Sequence, residues 1–119
     1  MKRTITAGAA LLLGSLISGN AIAEFESING AELKKLCASF VDIPSGTSDG
    51  MCIGYVVGVT SLMEYMDVLC LPVNATHSQA TLVAQKYLSD HPETLHVNAE
   101  ELVIEALQEA FPCNTMQGE

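Results

Sequence analysis

Four cysteines are the residues of this chain whose type and spacing could do chemistry: Cys37, Cys52, Cys70 and Cys113. An even number of cysteines predicts disulfide bonds when a protein is exported to an oxidising compartment. Zinc binding is the alternative, but the chain has no C-x-x-C pair, and separations of 15, 18 and 43 residues match no zinc finger or ribbon. We therefore predict two disulfide bonds, no metal site and no cofactor.

The chain offers no recognisable nucleophile for catalysis. A cysteine nucleophile needs a thiolate beside an imidazole, and cysteines in disulfides cannot supply the thiolate. The sequence contains no serine nucleophile elbow, no glycine-rich phosphate loop and no H-E-x-x-H motif. Glu100 and Glu101 form an acidic pair, but they fall in the first turn of a predicted helix, where the helix dipole favours them. The sequence thus predicts a protein that is not an enzyme.

Four polar residues surround a proline between two predicted helices: Asp90, His91, Glu93 and His96. Because exposed polar side chains in loops often contact a partner, we interpret these four as candidate partner-binding residues. The alternative is that they only end one helix and position the next. Pro92 separates the two histidines, so they cannot occupy successive turns of one helix as a metal-binding pair does.

The first 23 residues have the three parts of a secretory signal peptide. Lys2 and Arg3 form a basic segment, residues 7–17 an apolar run, and residues 21–23 an A-x-A cleavage site. The run is broken at residues 18–20, so it is shorter than the roughly 20 residues that a spanning helix needs. We expect a signal peptide at 1–23, one domain at 24–119, a periplasmic location, and no membrane anchor after cleavage.

The chain beyond the signal peptide is strongly acidic. It carries three lysines and fourteen acidic residues, which gives a net charge of −11. Such a charge repels nucleic acid and anionic lipid, and it speeds association with a basic partner protein. The alternative is that the charge only keeps a secreted protein soluble.

Four segments of helical period follow the signal peptide, at about residues 30–40, 51–69, 77–89 and 99–111. Three of them begin with a capping-box pattern, in which an N-cap side chain and a Glu or Gln three residues later bond each other's backbone N–H groups. The three pairs are Asn29 with Glu32, Thr76 with Gln79, and Asn98 with Glu101. The patterns predict an all-α fold, a small four-helix bundle stapled by two disulfides.

The second segment is compatible with either a strand or a helix. Residues 53–59 could form a buried strand, but the apolar period continues through Leu62, Met63 and Met66, which favours a helix capped by Ser48 or Asp49. We interpret Tyr55, Tyr87 and the methionines at 51, 63 and 66 as core residues before a recognition surface, and some of them could form a dimer interface. The two glycines of this segment, Gly54 and Gly58, lie on one helix face and predict close approach by another helix.

The order of the helices favours one disulfide pairing out of three. Short connections make consecutive helices antiparallel, which brings Cys37 near Cys52 and the last turn of the fourth helix near Cys70. The pairing Cys37–Cys52 and Cys70–Cys113 therefore needs the least rearrangement. Loops of these lengths give a chain-entropy stabilisation of about 3 and 4 kcal/mol.

Four short motifs occur in a characteristic order along the chain. They are C-I-G-Y-V-V-G at residues 52–58, C-L-P at 70–72, Y-L-S-D-H-P-E-T-L-H at 87–96 and A-L-Q-E-A-F-P-C at 106–113. Together they resemble the Rap1a/Tai family of type VI secretion immunity proteins, across nearly the whole chain after the signal peptide. The resemblance implies a helical periplasmic protein, often a homodimer, that binds a peptidoglycan amidase effector. It also implies steric inhibition, in which a protruding element fills the substrate cleft of a papain-like hydrolase.

Two rival functions remain open. The first is a periplasmic acid-stress holdase chaperone, which should lose charge and expose apolar surface as the pH falls. The second is an orphan structural binding module without a cognate toxin, because a shared fold does not fix function. A gene for a secreted amidase beside this one would favour the immunity function.

Overall fold

Four α-helices form the fold of residues 26–113, the part of the chain that this computed structural model describes. The helices are α1 (Gly30–Cys37), α2 (Thr47–Tyr65), α3 (His77–Asp90) and α4 (Ala99–Ala110), with a short 3-10 turn at Pro92–Thr94. Each helix contacts the other three, and these residues contain no strand. The predicted all-α four-helix bundle is confirmed, whereas the predicted signal peptide at residues 1–23 lies outside the described residues.

Two of the three predicted capping boxes are present. At α1, the Asn29 side chain accepts a 3.0 Å hydrogen bond from the Glu32 N–H, and the Glu32 carboxylate accepts one of 3.1 Å from the Asn29 N–H. At α3, Thr76 and Gln79 exchange the equivalent bonds of 3.1 and 2.9 Å. Each box satisfies two N–H groups that the helix itself leaves without a partner.

The predicted capping box at α4 is wrong. The Asn98 side chain makes no cap bond and instead accepts a 3.2 Å hydrogen bond from the Ser27 hydroxyl. The N–H of Ala99 donates to the Ile28 carbonyl at 2.9 Å. The segment before α1 therefore supplies the hydrogen-bond partner of the Ala99 N–H at the start of α4. The capping box of Asn98 with Glu101 does not form.

The start of α1 is pressed against the connection between α3 and α4. The N–H groups of Gly30 and Ala31 donate to the carbonyls of Val97 and Leu95, at 2.9 and 3.0 Å. A Cβ on Gly30 would overlap Leu102 Cδ1 and lie 3.2 Å from the Leu95 backbone. Glycine is required here by this close approach, which fixes the path of the chain into α4.

The boundaries of α2 differ from the prediction at both ends. The helix ends at Tyr65 because Asp67 takes the left-handed conformation, with φ of 58°. The N–H groups of Asp67 and Val68 then bond the carbonyls of Glu64 and Met63, at 3.0 Å each. This is the Schellman arrangement that closes many helices, here with aspartate in the place of the usual glycine.

The predicted Ser48 or Asp49 cap of α2 is also wrong, because the N-cap residue is Gly46 and no side chain caps this helix. Asp49 instead lies in the first turn and binds the preceding loop. Its carboxylate accepts hydrogen bonds from the Ser39 hydroxyl at 2.6 Å and from the Ser45 N–H at 3.0 Å. These bonds, that of Ser39 foremost, lower the pKa of Asp49, which is almost completely buried.

The two disulfides have the predicted pairing, Cys37–Cys52 and Cys70–Cys113. Cys37 and Cys52 have no exposed surface and join α1 to α2 inside the core. Cys70 and Cys113 lie at the surface and tie the α2–α3 loop to the end of α4. The crosslinks thus restrain both ends of the bundle.

The face of α2 that carries its glycines points away from the core. An added Cβ on Gly54 or Gly58 would meet no atom within 4 Å, so the prediction that another helix of the bundle packs there is wrong. Met63 is buried as predicted, whereas Met51 and Met66 are more than half exposed. Because α2 is apolar on two sides, its sequence period alone does not show which side is buried. The buried apolar side chains of the bundle include Leu33, Phe40, Val56, Met63, Leu88, Leu102, Val103 and Leu107.

Candidate partner-binding site

A groove of about 250 Å³ lies between the end of α3 and the last turns of α4. We call it the α3–α4 groove, and its main lining residues are Val83, Tyr87 and His91 on one side and Ala106, Glu109 and Ala110 on the other. The small side chains of the two alanines leave room above α4. The groove therefore combines apolar walls with two aromatic rings, the carboxylates of Asp90 and Glu109, and the ammonium group of Lys86.

Tyr87 and His91 form a stacked pair inside the groove. Their ring centroids are 3.9 Å apart, with the planes inclined by 22°. The spacing of four residues places both rings on one side of α3. His91 is held further by a 2.9 Å hydrogen bond between its Nδ1 and the Tyr87 carbonyl, and the Tyr87 hydroxyl donates a 2.7 Å hydrogen bond to Glu105 on α4.

Three carboxylates raise the pKa of the Tyr87 phenol. The hydrogen bond to Glu105 is the main cause that raises the pKa of Tyr87 to about 12. Partial burial and the negative charges of Glu105, Glu109 and Glu93 raise it further. The phenol is therefore neutral at any physiological pH, and it lies in a negative potential.

A single ion pair, Lys86 with Asp90, occurs among residues 26–113. The two groups are 2.6 Å apart, and their hydrogen bond lowers the pKa of Asp90 and raises that of Lys86. Both side chains are more than half exposed, so the pair adds little to stability. It does engage Lys86, the cation that lines the groove, and in the described part of the chain Glu93, Glu105 and Glu109 have no ion-pair partner.

The structure brings together some of the residues predicted to bind a partner. Asp90, the last residue of α3, and His91 both line the groove. Glu93 lies on the 3-10 turn that follows and contributes to the potential at the Tyr87 ring. His96 is exposed and does not line the groove. Their partner-binding role remains a prediction.

Sequence reasoning missed three residues of this site. The helical spacing of Tyr87 predicts a core residue, yet it is only half-buried and its ring lines the groove. Glu105 and Glu109 were given no role. Their positions four residues apart, continuing a series that begins at Glu101, could have indicated an acidic stripe along α4.

Free thiols and clustered metal ligands are absent from the described residues. All four cysteines are in disulfides, so none offers a thiol. Residues 26–113 contain no group of three histidine, cysteine or acidic side chains placed to hold a metal ion. A second concavity of about 620 Å³ follows the α2–α3 loop, where Glu64 and His77 lie beside the apolar Leu71 and Val73. Within this part of the chain, no helix has the length and apolarity needed to cross a bilayer.

Comparison with known protein families shows to which family the chain belongs. A family model described as Rap1a immunity proteins matches residues 29–113, which include all four helices and all four cysteines. The chain belongs to the Rap1a immunity protein family. No curated protein matches the chain significantly. Membership of the Rap1a family implies an immunity function against a secreted effector, exerted by binding that effector protein.

Proposed function

We propose that this Rap1a-family protein is a periplasmic immunity protein that binds a type VI secretion peptidoglycan amidase and sterically blocks its active-site cleft. The observation that carries this proposal is the family match over residues 29–113. The amidase, the secretion system and the periplasm follow from the resemblance of the sequence motifs. The protein is then an inhibitor, and not an enzyme.

Two features of the chain support a periplasmic location. Residues 1–23 have the pattern of a cleavable signal peptide. Both cysteine pairs form disulfides, which persist in the periplasm and are rare in the cytosol. The wall-degrading target would act in the same compartment.

Steric inhibition suits a rigid scaffold with an exposed binding surface. The two disulfides restrain the bundle, so little conformational entropy is lost on binding. The candidate contacts are Asp90, His91, Glu93 and His96 at the end of α3 and in the turn that follows. The net charge of −11 beyond residue 23 would speed association with a basic effector surface.

A homodimer formed through α2 is part of the proposal. Residues 50–63 contain no charged side chain, and the outer face of α2 exposes Met51 and Leu62 around the open Gly54 and Gly58, with the exposed Met66 directly after the helix. Small residues four apart let two helix backbones approach closely. A second copy of the chain would cover this apolar face. Sedimentation equilibrium should therefore give twice the monomer mass, and a monomer at micromolar concentration would contradict this part.

The function is tested by coexpression in the periplasm with a secreted peptidoglycan amidase, chosen from the genes beside this one if such a gene is found there. The full chain should prevent lysis, whereas a form without residues 1–23 should not, because it never meets the toxin. Continued lysis with well-expressed full chain would reject the proposal for that pair.

A further inference from the structure

We propose that the α3–α4 groove binds an arginine side chain of a partner protein. The inference deepens the proposed function, on which it rests for the existence of a protein partner. It commits to one occupant, a guanidinium group inserted between the end of α3 and the last turns of α4.

The size of the groove fits one long side chain. Its volume of about 250 Å³ is below the roughly 300–1,000 Å³ of cofactor and substrate pockets. Val83, Ala106 and Ala110 give it an apolar wall. An arginine buries its aliphatic stem along such a wall while its charged end stays near polar groups.

The negative charges around the groove favour binding of a cation. Glu109 lines it, Glu105 borders it through the hydrogen bond to Tyr87, and Glu93 adds to the same potential. Lys86 and Asp90 also line the groove, and their ion pair at 2.6 Å offsets one charge with the other, so Lys86 does not neutralise these three carboxylates. A guanidinium can bond carboxylates through two N–H groups and is less strongly hydrated than an ammonium, which favours arginine over lysine.

The aromatic pair provides a second element of recognition. Guanidinium groups stack on aromatic faces, and Tyr87 is held in place by the His91 ring at 3.9 Å and by its hydrogen bond to Glu105. Because the Tyr87 ring is already ordered, binding of a guanidinium costs less conformational entropy than binding to a mobile side chain would.

The experiment uses the oxidised protein purified from the periplasm and labelled with nitrogen-15. N-acetyl-arginine methylamide is the probe, and the citrulline analogue is its neutral isostere. We expect saturable amide shifts at residues 83–91 and 105–110 with the arginine probe, and none with citrulline. Glu109→Gln should weaken binding about 2- to 5-fold, the range for an exposed ion pair.

Glu101→Gln is the matched control, since it removes the same charge from the same helix two turns away from Glu109. It should leave the affinity unchanged within error. Three results would overturn the inference. They are equal amide shifts with citrulline, shifts near every acidic residue that do not saturate, and an equal loss of affinity in the two variants. Protection against the amidase tests the immunity function, whereas binding of the probe tests the groove. Failure of one proposal can therefore be told apart from failure of the other.

Discussion

The Tyr87 hydroxyl donates a 2.7 Å hydrogen bond to the Glu105 carboxylate, and this bond joins α3 to α4 beside the groove. The two residues are eighteen positions apart, so the link reports directly on how the two helices pack. It raises the pKa of Tyr87 to about 12, because the carboxylate stabilises the neutral phenol. The folded protein thus holds this proton more tightly than the unfolded chain does.

Replacing Glu105 with alanine should lower the pKa of Tyr87 from about 12 towards its ordinary value near 10. Carbon-13 NMR of the tyrosine Cζ atoms against pH measures this shift, with Glu101→Ala as the control that leaves it unchanged. Because the folded pKa is raised, the stabilisation by the link is complete below pH 10 and is lost as the pH rises towards 12. An unchanged Tyr87 titration in Glu105→Ala would refute the assigned hydrogen bond.

Replacing Asp49 with asparagine should lower the melting temperature at pH 7, because the carboxylate accepts hydrogen bonds from Ser39 and Ser45. The folded pKa of Asp49 is lowered, so its contribution is present above the ordinary value of 3.8 and is lost as the pH falls through the folded pKa. The difference between wild type and variant should therefore shrink below about pH 3.8. Asp42→Asn, on the exposed loop, is the control and should melt like wild type at pH 7.

The same titration bears on the rival chaperone function. A holdase that opens in mild acid would bind a hydrophobic dye at pH 5, where Asp49 remains ionised and its bonds remain in place. We expect no such dye binding at pH 5. Strong binding there would favour the chaperone over the immunity protein.

Two glycine substitutions should change stability in opposite directions. Gly30→Ala should cost about 1–3 kcal/mol of unfolding free energy, because its Cβ would overlap Leu102 Cδ1 beside the Leu95 backbone. Gly54→Ala should add up to about 1 kcal/mol, since the site is helical and open. Urea unfolding of both variants under conditions that keep the protein monomeric measures the two effects. A destabilised Gly54→Ala monomer would mean that the outer face of α2 is not open.

The two disulfides should differ in their accessibility to reductant. Cys70 and Cys113 are exposed, whereas Cys37 and Cys52 have no exposed surface. Mild treatment with a thiol under native conditions should therefore open Cys70–Cys113 first. Alkylation followed by peptide mass analysis identifies the reduced pair, and early labelling of Cys37 would contradict the burial of that crosslink.

Features that depend on neighbouring residues in the chain were predicted well. The capping boxes at Asn29 and Thr76 and the apolar faces of α1, α3 and α4 follow from spacings of three or four residues. The order of the helices gave the disulfide pairing. Asn98 failed as a cap because a distant segment, residues 27 and 28, supplies its contacts.

Features that depend on the orientation of a whole helix were not predictable in the same way. Two sides of α2 are apolar, and only packing shows that Gly54 and Gly58 face outwards. The groove joins Tyr87 to Glu105 and Glu109 on another helix, and no local pattern connects them. Glu100, explained from the sequence by the helix dipole, also accepts a 3.1 Å hydrogen bond from Tyr55. Burial, followed by this hydrogen bond, raises the pKa of the Tyr55 phenol to about 12.

Inhibition of a purified candidate amidase, one that the full chain protects against in the periplasm, tests the central claim most directly. The release of fragments from peptidoglycan would be measured while the oxidised immunity protein is added in increasing amounts. We predict that hydrolysis stops when the two proteins are present in equal numbers of chains, as expected for a tight complex that covers the cleft. Undiminished hydrolysis with the immunity protein in large excess would contradict the account.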